Sequence, residues 1–172
     1  MKIYFNLIPP ENEISYGGGL FFVKNLSKYL KKQGIFIANE LSKDLDLIFI
    51  IDPRKGPYKK YSHTQLLEYC ENTKIKLIYI VNECDKKRNT SIGIEPIILD
   101  AISKCDHVVF ISNWLKEYYI NNYNIKTPYS IINNAADTSV FIPNLNKKLD
   151  KKLIRIVSHH WSNDYMKGFE IY

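Results

Sequence analysis

Short apolar runs alternate with helix-like segments through the first 143 residues, and this alternation restricts the fold more than any other feature of the chain. The runs predicted to form strands are residues 2–8, 35–38, 45–51, 77–81, 108–112 and 129–132. Most of them lack the polar–apolar alternation of a strand that has one solvated face. The sequence therefore predicts an α/β fold, a Rossmann-like parallel sheet with helices on both faces.

The segments between these runs have the spacing of amphipathic helices. Residues 20–33 carry apolar side chains three to four positions apart, and Gly34 follows as a helix stop. Further helices are predicted over residues 64–71, 97–104 and 114–121. Such alternation suits a parallel sheet, because parallel neighbours need long crossover connections.

The stretch after Pro143 differs in character from the rest of the chain. Residues 144–152 (NLNKKLDKK) are polar and charged, and they predict a linker. Residues 153–158 (LIRIVS) have the composition of a buried strand, and a polar turn and Lys167-Gly168 come after them. We therefore predict a complete domain over residues 1–143, then a linker, and over 153–172 the first strand and turn of a second domain.

The composition excludes several classes of protein. With 172 residues, 45% hydrophobic and 24% charged, the chain is typical of a soluble globular domain, and no apolar stretch is long enough to predict a transmembrane helix. Cys70, Cys84 and Cys105 lie far apart and form no C-x-x-C pair, so neither a zinc site nor a disulfide framework is predicted. A reducing, cytoplasmic location is expected.

The net charge of +6 favours anionic partners, although the lysines are scattered along the chain. We favour solvated lysines on helix faces and loops over a binding patch for anions, at odds of about two to one. The other interpretation is attraction to phosphate groups or peripheral contact with an anionic membrane. Nucleic acid is not an expected partner, since no recognition motif is present and the aromatic residues fall mainly within predicted strands and helices.

In a parallel sheet of this type, ligands bind at the carboxyl ends of the strands, so the loops after the strands are the candidate sites. The first of them contains Gly17, Gly18 and Gly19. Glycines let a ligand approach the backbone, and a helix N-terminus offers free N–H groups to an anion. The pattern is not the G-x-G-x-x-G of dinucleotide-binding proteins, and a flexible turn explains it about as well.

The second candidate loop contains Asn82, Glu83 and Asp85 after the fourth strand. Amides and carboxylates at a strand end can hydrogen-bond sugar hydroxyls or transfer protons. A solvated loop with local helix caps explains the same residues equally well. The residues alone therefore leave both interpretations open.

Two more loops carry polar residues at strand ends. Ser112 follows the fifth strand and is better explained as a helix cap unless it lies in a cleft. Asn134 and Asp137 follow the sixth strand, where they suit a cleft or hinge, or an ordinary turn. These residues complete the set of candidates at the strand ends.

Taken in order, these segments resemble glycosyltransferase family 4, whose members have the two-domain GT-B fold. The segments that carry the resemblance are Gly17–Gly19, residues 109–115 (VFISNWL), residues 131–143 (IINNAADTSVFIP), residues 155–158 (RIVS), Lys167-Gly168 and residues 81–88 (VNECDKKR). The 131–143 segment is similar to an N-G-V-D…F-x-P pattern, with Ala135 where that pattern usually has glycine. The 81–88 segment resembles an R-x-N-x-C-D-K-R-like stretch of some members, without its leading basic residue.

The resemblance implies that the chain is the N-terminal, acceptor-side half of a GT-B enzyme with the start of its donor domain. Such an enzyme moves a sugar, with retention, from a nucleotide diphosphate to a glycan or lipid acceptor, and it uses no metal or cofactor besides the nucleotide sugar as co-substrate. Asn82, Glu83 and Asp85 would be catalytic and face the acceptor. The donor- or acceptor-binding residues would be Gly17, Gly18, Gly19, Ser112, Asn134, Asp137 and Lys167.

The chain departs from the family pattern at two further places. The E-x7-E motif of the donor domain would lie beyond Tyr172, and Asn82 and Glu83 occupy the stretch in which members commonly have a catalytic histidine. We therefore expect this chain alone to be inactive. Two other functions stay open, a non-catalytic α/β module that binds a glycan or a nucleotide, and an interaction domain of a split enzyme. A coding region that continues with E-x7-E would favour the enzyme, and a stop codon would favour the alternatives.

Overall fold

The structure, a computed structural model, describes residues 1–10, 17–88 and 93–142. The strands in this part of the chain are Lys2–Phe5 (β1), Phe36–Ala38 (β2), Leu47–Ile50 (β3), Lys76–Val81 (β4), His107–Phe110 (β5) and Tyr129–Ile131 (β6). The helices are Gly18–Lys32 (α1), His63–Thr73 (α2), Asp85–Arg88 (α3), Glu95–Lys104 (α4) and Asn113–Asn122 (α5). Strands and helices therefore alternate along most of the chain.

All six strands join one sheet in the order β2-β1-β3-β4-β5-β6, and every neighbouring pair is parallel. The register pairs Ile50 with Tyr79 and Val81 with Phe110. The chain runs from β1 to the edge strand β2 and then returns past β1 to β3, so its winding reverses between β1 and β3. In doubly wound sheets, the crevice at such a reversal is where ligands bind.

Helices cover both faces of the sheet. On one face, α2, α4 and α5 bury Leu66, Ile98 and Tyr119 completely against the strands. On the other face, α1 buries Leu20 and Val23 against apolar side chains of β1. The prediction of a parallel α/β sheet with helices on both faces is confirmed.

Several boundaries differ from the predicted ones. Residues 85–88 form the short helix α3, where the sequence analysis predicts only a loop. α4 begins at Glu95, before the predicted start, because Pro96 lies in its first turn, where proline is already preset for a helix. α2 begins earlier as well, since Ser62 and Gln65 form a capping box.

The residue contacts divide the chain into two compact units, Met1–Asn133 and Asn134–Tyr172. The first unit contains the whole sheet. Of the second unit, residues 134–142 belong to the described part of the chain. The predicted linker over 144–152 and the predicted second-domain strand and turn over 153–172 lie outside the described residues.

Candidate functional site

Three of the candidate loops lie at one edge of the sheet. Because all the strands are parallel, the residues that follow β1, β4 and β5 come to the same edge. The structure places Gly17–Gly19 at the start of α1, Asn82 and Glu83 directly after β4, and Ser112 shortly after β5. This edge, at the carboxyl ends of the strands, is the candidate functional site.

The glycine loop begins α1 without any side-chain cap. Gly17 occupies the N-cap position, and the first helical turn carries no acidic residue. A Cβ atom on Gly17 or Gly18 would meet nothing within 4 Å, whereas one on Gly19 would lie 3.2 Å from Leu7 Cδ2 and 3.7 Å from Ile51 Cγ2. Gly19 therefore lets α1 approach the ends of β1 and β3, while the positions that side chains of residues 17 and 18 would occupy are open space.

Alanine substitutions should separate these two roles of the glycines. Gly18→Ala should raise the free energy of unfolding by about 0.5–1 kcal/mol, because alanine loses less backbone entropy on folding than glycine. Gly19→Ala should be less stable than Gly18→Ala by about 1 kcal/mol, because the buried Leu7 would have to move. Urea unfolding followed by circular dichroism measures both variants. Equal stabilities would show that the close approach at Gly19 costs nothing.

A buried asparagine side chain joins the end of β1 to the end of β3. Asn6, which follows β1, has no exposed surface. Its Nδ2 donates a hydrogen bond to the Asp52 carbonyl oxygen at 2.7 Å, and its Oδ1 accepts one from the Ile51 N–H at 2.8 Å. The ends of β1 and β3 are thereby fixed relative to each other.

A charged cluster that the sequence analysis did not identify lies in the loop after β3. The Asp52 carboxylate accepts hydrogen bonds from Arg54 Nε at 2.9 Å and Arg54 Nη2 at 3.0 Å, and Lys59 Nζ lies 3.0 Å from Asp52 Oδ2. The Lys59 side chain is only 6% exposed, so its charge is compensated mainly by this carboxylate. In the sequence, this cluster is visible only as Asp52 directly after an apolar strand. A carboxylate in that position is as typical of an ordinary strand end as of a functional site.

The loop that carries this cluster is held in place by His63, the first residue of α2. His63 Nδ1 lies 2.9 Å from the Pro53 carbonyl oxygen, and His63 Nε2 lies 3.2 Å from Asp100 Oδ2 on α4. The His63 side chain is 14% exposed. These contacts hold Asp52 and Arg54 in place at the carboxyl edge of the sheet.

Electrostatic effects connect the cluster with Glu83. Burial raises the pKa of the Asp52 carboxyl, but hydrogen bonds from Arg54 and Lys59 outweigh burial and hold the pKa below its ordinary value. Hydrogen bonds to Asp52 raise the pKa of Arg54, and the negative charge of Glu83 adds to this effect. Burial raises the pKa of Tyr79 far above its ordinary value, with further contributions from Asp52 and Glu83. The negative charge of Glu83 therefore acts on both Arg54 and Tyr79.

Asn82 and Glu83 are half-buried at the end of β4. The Glu83 backbone carbonyl accepts a hydrogen bond from the Tyr119 hydroxyl at 2.9 Å, which ties this loop to α5. Cys84, the next residue, is completely buried and anchors the loop in the core. The Glu83 side chain is thus carried on a backbone that is fixed on both sides.

Asp85 has a different environment from Asn82 and Glu83, the two residues that are predicted to be catalytic together with it. Its two carboxylate oxygens accept hydrogen bonds from the N–H groups of Ile94 and Glu95, each at 3.2 Å. Glu95 Oε1 in turn accepts a hydrogen bond from the Asp85 N–H at 3.1 Å. Asp85 therefore stabilises the start of α4, and the predicted catalytic role for it stays a prediction.

Ser112 caps α5, because its Oγ accepts a hydrogen bond from the Leu115 N–H at 3.2 Å. Beside it is a shallow apolar depression lined by Ile111, Ser112, Trp114 and Leu115. The Trp114 ring is 46% exposed and is stacked on Tyr118, with ring centroids 5.7 Å apart. The structure thus shows the helix cap that the sequence favours, at the edge where the cleft would lie.

The remaining predicted site residues lie outside the sheet unit. Asn134 and Asp137 belong to the second unit, where the Asp137 carboxylate accepts hydrogen bonds from the Ser139 N–H at 2.9 Å and the Ser139 hydroxyl at 2.6 Å. The Asp137 carbonyl accepts a further bond from the Phe141 N–H at 2.9 Å, so these residues form a local turn. Lys167 lies outside the described residues.

The described residues hold no group of three or more histidine, cysteine, aspartate and glutamate side chains that could bind a metal ion. Within residues 1–10, 17–88 and 93–142, no helix combines the length and the apolar character that crossing a bilayer requires.

No protein-family model matches the chain, and no curated protein sequence matches it. The resemblance to glycosyltransferase family 4 therefore depends on the segments of this chain alone.

Proposed function

We propose that this chain is the acceptor-side domain of a retaining GT-B glycosyltransferase, together with the start of its donor domain. The observation that carries the proposal is the reversal of the winding between β1 and β3, with the glycine start of α1 and the Asp52–Arg54 pair both near the carboxyl ends of these two strands. A helix start without acidic residues favours an anionic group such as a diphosphate. Glu83 follows β4 at the same edge, and its negative charge contributes to the raised pKa of Arg54.

In this proposal, the full enzyme transfers a sugar from a nucleotide diphosphate to a hydroxyl of a glycan or lipid acceptor. The bond from the sugar C1 to the phosphate oxygen breaks, a bond from C1 to the acceptor oxygen forms, and the hydroxyl proton leaves with a base. The departing diphosphate is stabilised by helix N–H groups and cationic side chains, with Lys167 approaching it from the donor domain. Asn134 and Asp137 would serve as donor- or acceptor-binding residues.

The acceptor side of the reaction would rest on the loop after β4. Glu83 would accept a hydrogen bond from an acceptor hydroxyl and take its proton, and Asn82 would exchange hydrogen bonds with the neighbouring hydroxyls. Asp85 would contribute by holding the start of α4, since its carboxylate bonds two backbone N–H groups there. Ser112 would border the acceptor next to the Trp114 depression.

A test of this function measures the release of nucleoside diphosphate by the product of the natural coding region. Panels of uridine, guanosine and adenosine diphosphate sugars are supplied with and without glycan or lipid acceptors. Release that depends on the acceptor supports a transferase. Binding of a glycan or nucleotide without release would instead identify the alternative, a non-catalytic binding module or the interaction domain of a split enzyme.

The chain of 172 residues by itself should bind sugar nucleotides no tighter than the millimolar range. In a GT-B enzyme, most of the protein surface that binds the nucleotide belongs to the donor domain. Without that domain the donor is not positioned against the acceptor, and positioning can lower the activation barrier by about 7–11 kcal/mol. A few isolated contacts correspond to a Kd of about 1 mM. Isothermal titration calorimetry measures this affinity. Micromolar binding, or sugar transfer by this chain, would contradict the two-domain proposal.

A further inference from the structure

The outer face of α1 carries four lysines within nine residues and no acidic residue. The helix carries Lys24, Lys28, Lys31 and Lys32, and it has no acidic residue. All four lysines are exposed, and their charge of +4 compares with a net charge of +6 for all 172 residues. No ion pair among the described residues joins Lys28, Lys31 or Lys32 to a carboxylate. The charges of Lys28, Lys31 and Lys32 are therefore available to an external anion.

Two aromatic side chains are exposed on the same helix. Phe21 in the first turn is 53% exposed, and Tyr29 near the last turn is 60% exposed. The helical repeat of 3.6 residues aligns Phe21 with Lys28 and Lys32 along the outer side. The outer face of α1 is defined here by Phe21, Lys24, Lys28, Tyr29, Lys31 and Lys32.

The opposite face of α1 is fully used by the fold. Leu20 and Val23 are buried, and Leu26 and Leu30 pack against the same core. The helix therefore cannot insert its apolar face into a bilayer without leaving the sheet. Any contact with a membrane would be a shallow adsorption through the lysines and the two exposed rings.

We propose that the outer face of α1 is a docking surface for an anionic lipid bilayer. Ammonium groups attract the phosphates of anionic headgroups, and aromatic side chains are favoured at the boundary between headgroups and acyl chains. The alternation of lysines with exposed rings fits this boundary better than it fits a nucleic acid, for which arginine is the better-suited side chain and α1 has none. The inference does not depend on sugar transfer and can be tested without any activity assay.

The test is co-sedimentation of the 172-residue chain with lipid vesicles. One set contains only phosphatidylcholine, and the other includes about 30% phosphatidylglycerol as the anionic lipid. We expect the chain to bind the anionic vesicles and not the neutral ones. Binding should weaken strongly between about 0.1 M and about 1 M salt, over which the Debye length falls from about 10 Å to about 3 Å.

Two triple variants with the same change of charge locate the surface. The first replaces Lys28, Lys31 and Lys32 by glutamine, which preserves helix propensity. The matched control replaces Lys43, Lys74 and Lys126, which are exposed residues outside α1, by glutamine. The α1 variant should bind anionic vesicles about 100-fold more weakly. Each lysine near the membrane surface raises the affinity about fivefold, and the variant lacks three of them. The control should keep most of the binding.

A third variant distinguishes binding to a lipid bilayer from binding to other polyanions. Phe21→Ser with Tyr29→Ser should weaken binding to the anionic vesicles and should leave binding to heparin unchanged. Circular dichroism checks that each variant remains folded. The proposal is overturned if the chain does not bind anionic vesicles, if the control triple loses as much binding as the α1 triple, or if the aromatic pair has no effect on vesicle binding.

Discussion

Glu83→Gln should lower the turnover number of the natural gene product by about 10²–10⁴-fold, the range for loss of a general base. Glutamine has nearly the same shape as glutamate, but it cannot take a proton from the acceptor hydroxyl. Glu83 follows β4 at the carboxyl edge, interacts with the charge of Arg54 and is held by the bond between its carbonyl and Tyr119. The measurement is nucleoside diphosphate release at saturating acceptor, with a donor and acceptor pair found in the panel assay.

The stability of the Glu83→Gln variant should change much less than its turnover, by about 1 kcal/mol or less, as is usual for an isosteric change outside the core. Glu117→Gln is the matched control, because Glu117 lies on α5 with a side chain that is 61% exposed. The control should keep its turnover. Unchanged turnover in Glu83→Gln would remove Glu83 from the mechanism, and an equal loss in both variants would show that the effect is not specific.

The apolar pattern was enough to predict the fold class, because parallel strands are buried on both faces and leave a continuous signal. β4 and β6 lie within one residue of the predicted runs at either end. The strand order could not be predicted, since a buried run carries no information about which strands lie beside it. The reversal between β1 and β3, on which the location of the crevice depends, is therefore known only from the structure.

The candidate site was predicted only in part for a related reason. Residues at strand ends, such as Glu83 and Ser112, could be placed from the sequence because every parallel strand ends at the same edge. The bond between Asp52 and Lys59 depends on how the loop between them closes, and no local pattern encodes it. The bonds from the Ile94 and Glu95 N–H groups to Asp85 could not be predicted for the same reason, since these residues are 9 and 10 positions away from Asp85 along the chain.

Asp52→Asn should lower the free energy of unfolding by about 1–3 kcal/mol at neutral pH, the range for leaving a buried polar group without its partner. Asparagine keeps the size of the side chain but removes the negative charge that faces Arg54 and Lys59. The Lys59 side chain is 6% exposed, so its ammonium group has little access to water as a replacement. Urea unfolding followed by circular dichroism measures the loss.

The loss should depend on pH in a defined direction. The pKa of Asp52 is lower in the folded protein than its ordinary value, so the ionised carboxylate contributes stability above the unfolded pKa of about 3.9. That contribution disappears as the pH falls through the lower folded pKa. The difference in stability between the natural protein and Asp52→Asn should therefore be constant near neutral pH and should shrink below about pH 4.

Glu40→Gln provides the control for Asp52→Asn, because it removes the carboxylate partner of Lys60 from a pair at the surface. The two side chains of that pair are 60% and 47% exposed, so water replaces the lost contact and stability should change little. A loss in Asp52→Asn no larger than the loss in Glu40→Gln would mean that the cluster after β3 contributes no more than a surface pair. The loop would then be held by His63 and by the Asn6 bond to the Asp52 carbonyl, which the substitution leaves in place.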